Sequence, residues 1–214
     1  MILPDMHALV DLSLSEAIEV ASSQDTVAEE RKMLNAKRSR YFVERLAHWI
    51  RSHYETVSDE TLVFSKYYKP NRQKFGTQEY MYDIHVCQLG HVDAIQRRLK
   101  IPYVEKSIWQ IESELEGSTN ELLLDFSKLV AGSGSHKMFI GPIVGRSQDT
   151  ITATLRSLLP AARACSGRVH LSLLPYPEKW LKSACSALHF VMQNGEWRPV
   201  DDGTCNVGEK KLVR

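Results

Sequence analysis

Hydrophobic and polar positions along this chain change period several times, and each change marks an element. Ser13-Leu-Ser-Glu16 reads as a capping box for a short helix through about Ser22. Thr26-Val-Ala-Glu29 reads as a second, opening a long amphipathic helix to about Tyr54. Leu34, Tyr41, Phe42, Leu46, Trp49, Ile50 and Tyr54 form its apolar stripe. TLVFSKYY, Thr61 to Tyr68, is strand-like in composition. Pro70, Asn71 and Gly76 predict a loop over KPNRQKFGT. A second strand is expected from Gln78 to Gln88, with Tyr80, Tyr82, Ile84 and Val86 on one face and Met81, Asp83, His85 and Cys87 on the other. Leu89 to Glu105 reads as a connector holding a short basic helical piece, VDAIQRRLK.

The most informative stretch is Lys106 to Val130. Trp109, Ile111 and Leu115 share one parity, and Gln110, Glu112 and Glu114 the other, the period of a half-buried strand. Gly117 ends that run. Ser118-Thr-Asn-Glu121 then starts a helix whose stripe is Leu122, Phe126, Leu129 and Val130. HKMFIGP predicts a short buried strand, Ser147 to Cys165 a helix and Arg168 to Leu174 a strand. Glu178 to about Ala187 reads as a short helix. Asn194-Gly195 between apolar-rich arms predicts a hairpin.

The 43% hydrophobic and 25% charged shares are those of an ordinary soluble domain. No apolar run approaches the roughly 20 residues of a membrane span, and the N-terminus has no signal-peptide pattern, so the expectation is a cytoplasmic protein without a membrane partner. Four scattered cysteines suit reduced thiols better than a disulfide framework or a zinc site. Net charge is +1 but uneven: residues 1–30 have no Lys or Arg, whereas from Arg31 to Lys106 bases outnumber acids about two to one. A basic half suggests a polyanion-facing surface. Arg72, Lys74, Arg97 and Arg98 are the candidate phosphate contacts.

Candidate chemistry rests on carboxylates. Asp83 lies in an otherwise apolar strand, where an unpaired charge is rare. Glu112 and Glu114 stand two residues apart on one strand face, their Cβ atoms roughly 7 Å apart. Such a pair reads either as the solvated face of an edge strand or as hard-oxygen ligands for Mg²⁺ or Mn²⁺. If the two strands are neighbours, all three acids converge. Three carboxylates beside a basic surface suit metal-assisted phosphodiester hydrolysis.

The order of helix, strand, strand with Asp83, strand with Glu112-Ser-Glu114, helix, strand resembles the PD-(D/E)XK superfamily over about residues 27–141. The resemblance implies an α/β fold, a restriction-endonuclease-like mixed central sheet flanked by helices. It also implies a Mg²⁺- or Mn²⁺-dependent endonuclease acting on DNA, of restriction or host-defence type. Asp83, Glu112 and Glu114 would be the metal ligands and, with Lys128, the catalytic residues. A homodimer or larger defence complex is the expected assembly. Two departures stand out. Tyr82, not Pro, precedes Asp83, and Glu114 stands where the family usually has Lys, so Lys128 on the next helix is the candidate for a migrated lysine. An ion pair of Lys128 with Glu121 or Asp125 is the plainer reading of that residue. The competing expectations are an inactive nuclease-fold subunit that binds nucleic acid or protein, and an interaction module using the acidic first 30 residues. The expected organisation is an acidic helical arm over 1–25, one domain over 26–200 and a polar tail over 201–214.

Overall fold

The computed structural model describes residues 3–22, 31–55, 60–77, 79–94, 99–116, 118–143, 147–180 and 186–200. The protein is an α/β chain with one mixed sheet of seven strands flanked by helices. The strands are β1 (Thr61–Ser65), β2 (Ile84–Ala94), β3 (Leu99–Ser113), β4 (His136–Ile143), β5 (Arg168–Pro175), β6 (Leu188–Gln193) and β7 (Glu196–Pro199), and they lie in sequence order. β3, β4 and β5 run parallel, joined through the helices α4 (Thr119–Ala131) and α5 (Gln148–Ala164). A parallel neighbour requires such a crossover. The remaining pairs are antiparallel.

The alternation of side chains on the strands divides the core in two. Val63, Ile84, Val86, Ile111, Met138, Ile140 and Leu174 pack on α1 (Met6–Ser22) and α2 (Arg31–Glu55). Phe139, Val169, Leu171 and Leu173 pack with Leu122, Phe126 and Leu129 of α4 and Leu155 and Leu158 of α5. β3 and β4 are therefore covered on both faces and hold the most buried acids and bases. Residue 112 is not on an edge: β3 is third of seven strands, and Glu112 is 1% exposed.

Several elements differ from the sequence reading, each for a local reason. α1 begins at Met6, because Asp5 accepts from the His7 and Ala8 amides and is the N-cap; Ser13 lies inside the helix and donates to the Leu9 carbonyl. The first 25 residues contribute the buried Met6, Val10, Leu14, Ala17 and Ala21, which share one cluster with α2 and the sheet. The stretch expected as a loop is the helix α3 (Lys69–Phe75), with Pro70 in its first turn and Gly76 at φ 80° as its stop. β1 is shorter than expected, and β2 starts at Ile84. Residues 80–83 form a bend, with Met81 at φ 63°, and Tyr82 packs with the α4 side of the core while Ile84 packs with the α2 side. The described parts of the connector are strand, and residues 95–98 lie outside the described residues. Leu89–Ala94 and Leu99–Val104 pair as an antiparallel ribbon running on from the sheet, beyond the reach of β1 and β4. The expected cap at Thr26–Glu29, Gly117, Arg97 and Arg98, most of the expected helix after Glu178, and the tail from 201 lie outside the described residues. A 3-10 turn covers Pro177–Lys179. The Asn194-Gly195 hairpin is present, both residues having positive φ.

α1 is fastened to the sheet by a histidine cluster. His7 Nε2 is 3.0 Å from His170 Nδ1, and His189 bridges Ser172 on β5 at 2.9 Å and Asp11 on α1 at 3.0 Å. His136 stacks on Trp109 beside them. Burial, then the charge of His189, pushes His7 down to about 4, against nearby Asp5 and Asp11. Burial, then His7, Arg168 and His136, pushes His170 down to about 3. Both groups are neutral when folded, so the unfolded chain binds more protons below about pH 6.5. Their contribution to stability is complete above that pH and is lost as pH falls through 4 and 3. The melting temperature should drop between pH 7 and pH 4, and His7→Gln should flatten the drop. Parallel profiles for the two proteins would refute the assignment.

Candidate functional site

The register of the first three strands builds the site. Ser65 pairs with Ile84, and Ile84 with Ile111. One step further along each strand come Lys66, Asp83 and Glu112, side by side at one end of the sheet. The Lys66 amide donates to the Asp83 carbonyl at 3.1 Å. α4 then crosses over this end. Its start is set by Glu121, whose side chain accepts from the Ser118 amide. Its spacing puts Phe126 and Leu129 in the core and carries Asp125 and Lys128 to the carboxylates.

Asp83 is held by its neighbour strand. Its Oδ2 accepts from the Ser113 amide at 3.1 Å and from the Ser113 hydroxyl at 2.6 Å. Lys66 Nζ stands 3.5 Å from its Oδ1. Glu112 accepts on Oε2 from Lys128 Nζ at 3.2 Å, and Lys128 also reaches Asp125 at 2.8 Å. Glu112 Oε1 is buried and has no hydrogen-bond partner among the described residues. Burial, reinforced by the charge of Asp83 and only partly offset by Lys128, pushes the Glu112 carboxyl up to about 8. Burial alone would lower the Lys128 ammonium, but its hydrogen bonds and the charges of Asp125 and Glu112 hold it above its ordinary value. A buried carboxylate with an oxygen lacking a donor is costly unless a cation or a proton completes it.

Of the acids singled out in the sequence, the structure brings together Asp83 and Glu112, with Lys128 on Glu112. Glu114 follows the end of β3. Its amide donates to the Ile140 carbonyl and its Oε1 accepts from the Glu116 amide at 2.8 Å, in the turn toward α4. Among the described residues no group of three or more acidic, imidazole or thiol side chains is arranged to hold a metal ion. Arg72 and Lys74 are exposed on α3. Glu44 pairs on the surface with Arg40. His85 and Cys87 are buried inside the sheet, His85 against the Ser107 hydroxyl at 2.8 Å.

Sequence reasoning missed Lys66, which lies inside a strand-like run with no mark of function. The available signal was the antiparallel register, which sets Lys66 opposite Asp83 once β1 and β2 pair. It also missed Gln110, which is buried and accepts from the Gly134 amide at 3.1 Å. A Cβ at Gly132 or Gly134 would displace the Gln110 side chain from this turn.

Fold and site together define an α/β protein with an acid–lysine cluster at the end of a mixed sheet. Comparison with known proteins finds no matching family model, no matching curated protein and no matching solved structure. No helix among the described residues is long and apolar enough to cross a membrane.

Proposed function

We propose that this chain is a metal-dependent nuclease of the PD-(D/E)XK kind, hydrolysing phosphodiester bonds in DNA. The observation that carries the reading is the register that sets Asp83 beside Glu112 on adjacent strands, with Lys128 on Glu112, at the place where the helix–strand–strand–strand–helix–strand order puts the acids. The order α2, β1, β2, β3, α4, β4 supports the same reading.

The residues fit a hard cation. Glu112 Oε1 is a buried oxygen lacking a donor, and Asp83 is the acid beside it. These two would hold Mg²⁺ or Mn²⁺. The ion would supply charge neutralisation at the phosphate and acidify an attacking water. Ser113 orients Asp83 through two hydrogen bonds, and Lys128 ties down the other Glu112 oxygen, so the pair is preorganised. Lys128, shared between Glu112 and Asp125, stands in for the lysine missing at 114 as the cation beside the acids. Glu114, at the mouth of the turn, remains a proposed further ligand. DNA would lie against the basic α3 with Arg72 and Lys74, with Arg97 and Arg98 as proposed contacts; a homodimer or larger defence complex in the cytoplasm is the proposed setting.

Supercoiled plasmid mixed with phage genomic DNA, incubated with Mg²⁺, Mn²⁺ or EDTA, tests the proposal. Metal-dependent fragments from wild type and a loss of roughly 10²-fold or more in Lys128→Met are expected. Glu114 in the turn, where the family has lysine, favours the second reading: an inactive nuclease-fold subunit that binds nucleic acid or protein. Its signature is DNA binding without cleavage and without response to divalent metal.

A further inference from the structure

We infer that Lys66 is a substrate-binding residue of this site, its ammonium contacting a backbone phosphate of the nucleic acid; the inference rests on the nuclease reading above. The last β1 pair, Ser65 with Ile84, and the Lys66–Asp83 backbone bond set Lys66 directly across from Asp83. Residues directly opposite on antiparallel strands present their side chains to the same face. Lys66 therefore stands at the outer end of the row that continues through Asp83 to Glu112.

Its contact with Asp83 is long, 3.5 Å, and its side chain is 47% exposed. Asp83 does not depend on it, since Ser113 already gives the carboxylate two shorter hydrogen bonds. A half-exposed pair of this length adds little stability. Lys128 is as exposed, but it is held by two nearer carboxylates, Glu112 at 3.2 Å and Asp125 at 2.8 Å. The cluster sets three carboxylates, Asp83, Glu112 and Asp125, against these two ammonium groups. A lysine on the solvent side of Asp83 places a positive charge where a phosphate of the substrate would arrive. An ammonium on a flexible stem suits this role as a point charge that moves from carboxylate to phosphate.

The test is duplex DNA binding by fluorescence anisotropy across a salt series, with Ca²⁺ replacing Mg²⁺. Wild type would be compared with Lys66→Gln, Lys66→Arg and, as a remote control, Arg156→Gln. A lysine on a phosphate contributes roughly 0.9 to the slope of log affinity against log salt. Lys66→Gln should reduce the slope by about one, while Lys66→Arg and Arg156→Gln keep it. A residue that only steadied Asp83 would leave the slope unchanged, and an unchanged slope overturns the inference. Plasmid cleavage measured alongside separates the two claims. Cleavage with an unaltered slope removes Lys66 and keeps the nuclease reading. A reduced slope without cleavage keeps the contact and removes the nuclease reading. Absence of DNA binding in wild type overturns both. Unchanged melting of Lys66→Gln checks that the strand end is intact.

Discussion

Asp83→Ala and Glu112→Gln are each expected to lower metal-dependent cleavage roughly 10³-fold or more, the scale of removing a main electrostatic contributor to a transition state. The two substitutions should part company in stability. Asp83 is tied to Ser113 by two hydrogen bonds, so Asp83→Ala leaves the Ser113 amide and hydroxyl without their acceptor. A loss of about 1–3 kcal/mol follows. Glu112 is the opposite case. Its carboxyl is buried, its Oε1 has no partner among the described residues, and its proton is held up to about 8. A folded value raised above the unfolded one favours the folded state at low pH, and that advantage is lost as pH rises through 8. Glutamine keeps the shape without the charge. At pH 8.5, Glu112→Gln should therefore melt a few degrees higher than wild type, at about 2–4 °C per kcal/mol for a chain of this size. Inactive and stabilised is the expected pairing. A Glu112→Gln protein that melts lower at pH 8.5, or that cleaves at the wild-type rate, would remove Glu112 from the site.

Removing residues 1–25 should leave a chain without cooperative unfolding, and Leu14→Ala alone should cost about 2–5 kcal/mol in urea denaturation. Leu14 is 1% exposed and shares its cluster with Phe42, Leu46 and Ile50 of α2. α1 is also tied down by polar contacts. Arg45 of α2 holds Glu16 at both oxygens, and Trp49 donates to the same carboxylate at 3.3 Å. A detachable arm would behave otherwise: truncation would leave the melt unchanged, and Leu14→Ala would stay within about 0.5 kcal/mol, as at a surface position.

Local pattern is enough for much of this protein, because capping and periodicity act within a few residues. Ser118 and Glu121 mark the start of α4, Ser147 that of α5, and Asn194-Gly195 the β6–β7 turn, and all three are visible without a fold. Asp83 stands out locally as a charge in an apolar run, and Glu112 as one of two carboxylates two residues apart on a strand face. Segments whose character depends on distant partners were misread. Leu89–Ala94 and Leu99–Val104, the described flanks of the expected helical piece, pair as a ribbon because their hydrogen-bond partners lie on the facing strand. The acidic first residues resemble a loose arm until α2 and the sheet give Val10 and Leu14 somewhere to be buried.

The site divides along the same line. Residue types and two-residue spacing are properties of the chain, so the acids and Lys128 can be named from the sequence. Their grouping is a matter of register. Pairing of β1, β2 and β3 lines up Lys66, Asp83 and Glu112, and the crossover of α4 lowers Asp125 and Lys128 onto them. The same geometry gives Glu114 to the turn, because β3 ends at Ser113 and the Glu114 carboxylate satisfies the Glu116 amide instead. Burial completes the difference. A glutamate in a sequence is an ordinary acid, and only the core packed around Glu112 withholds water from it and lifts its proton affinity.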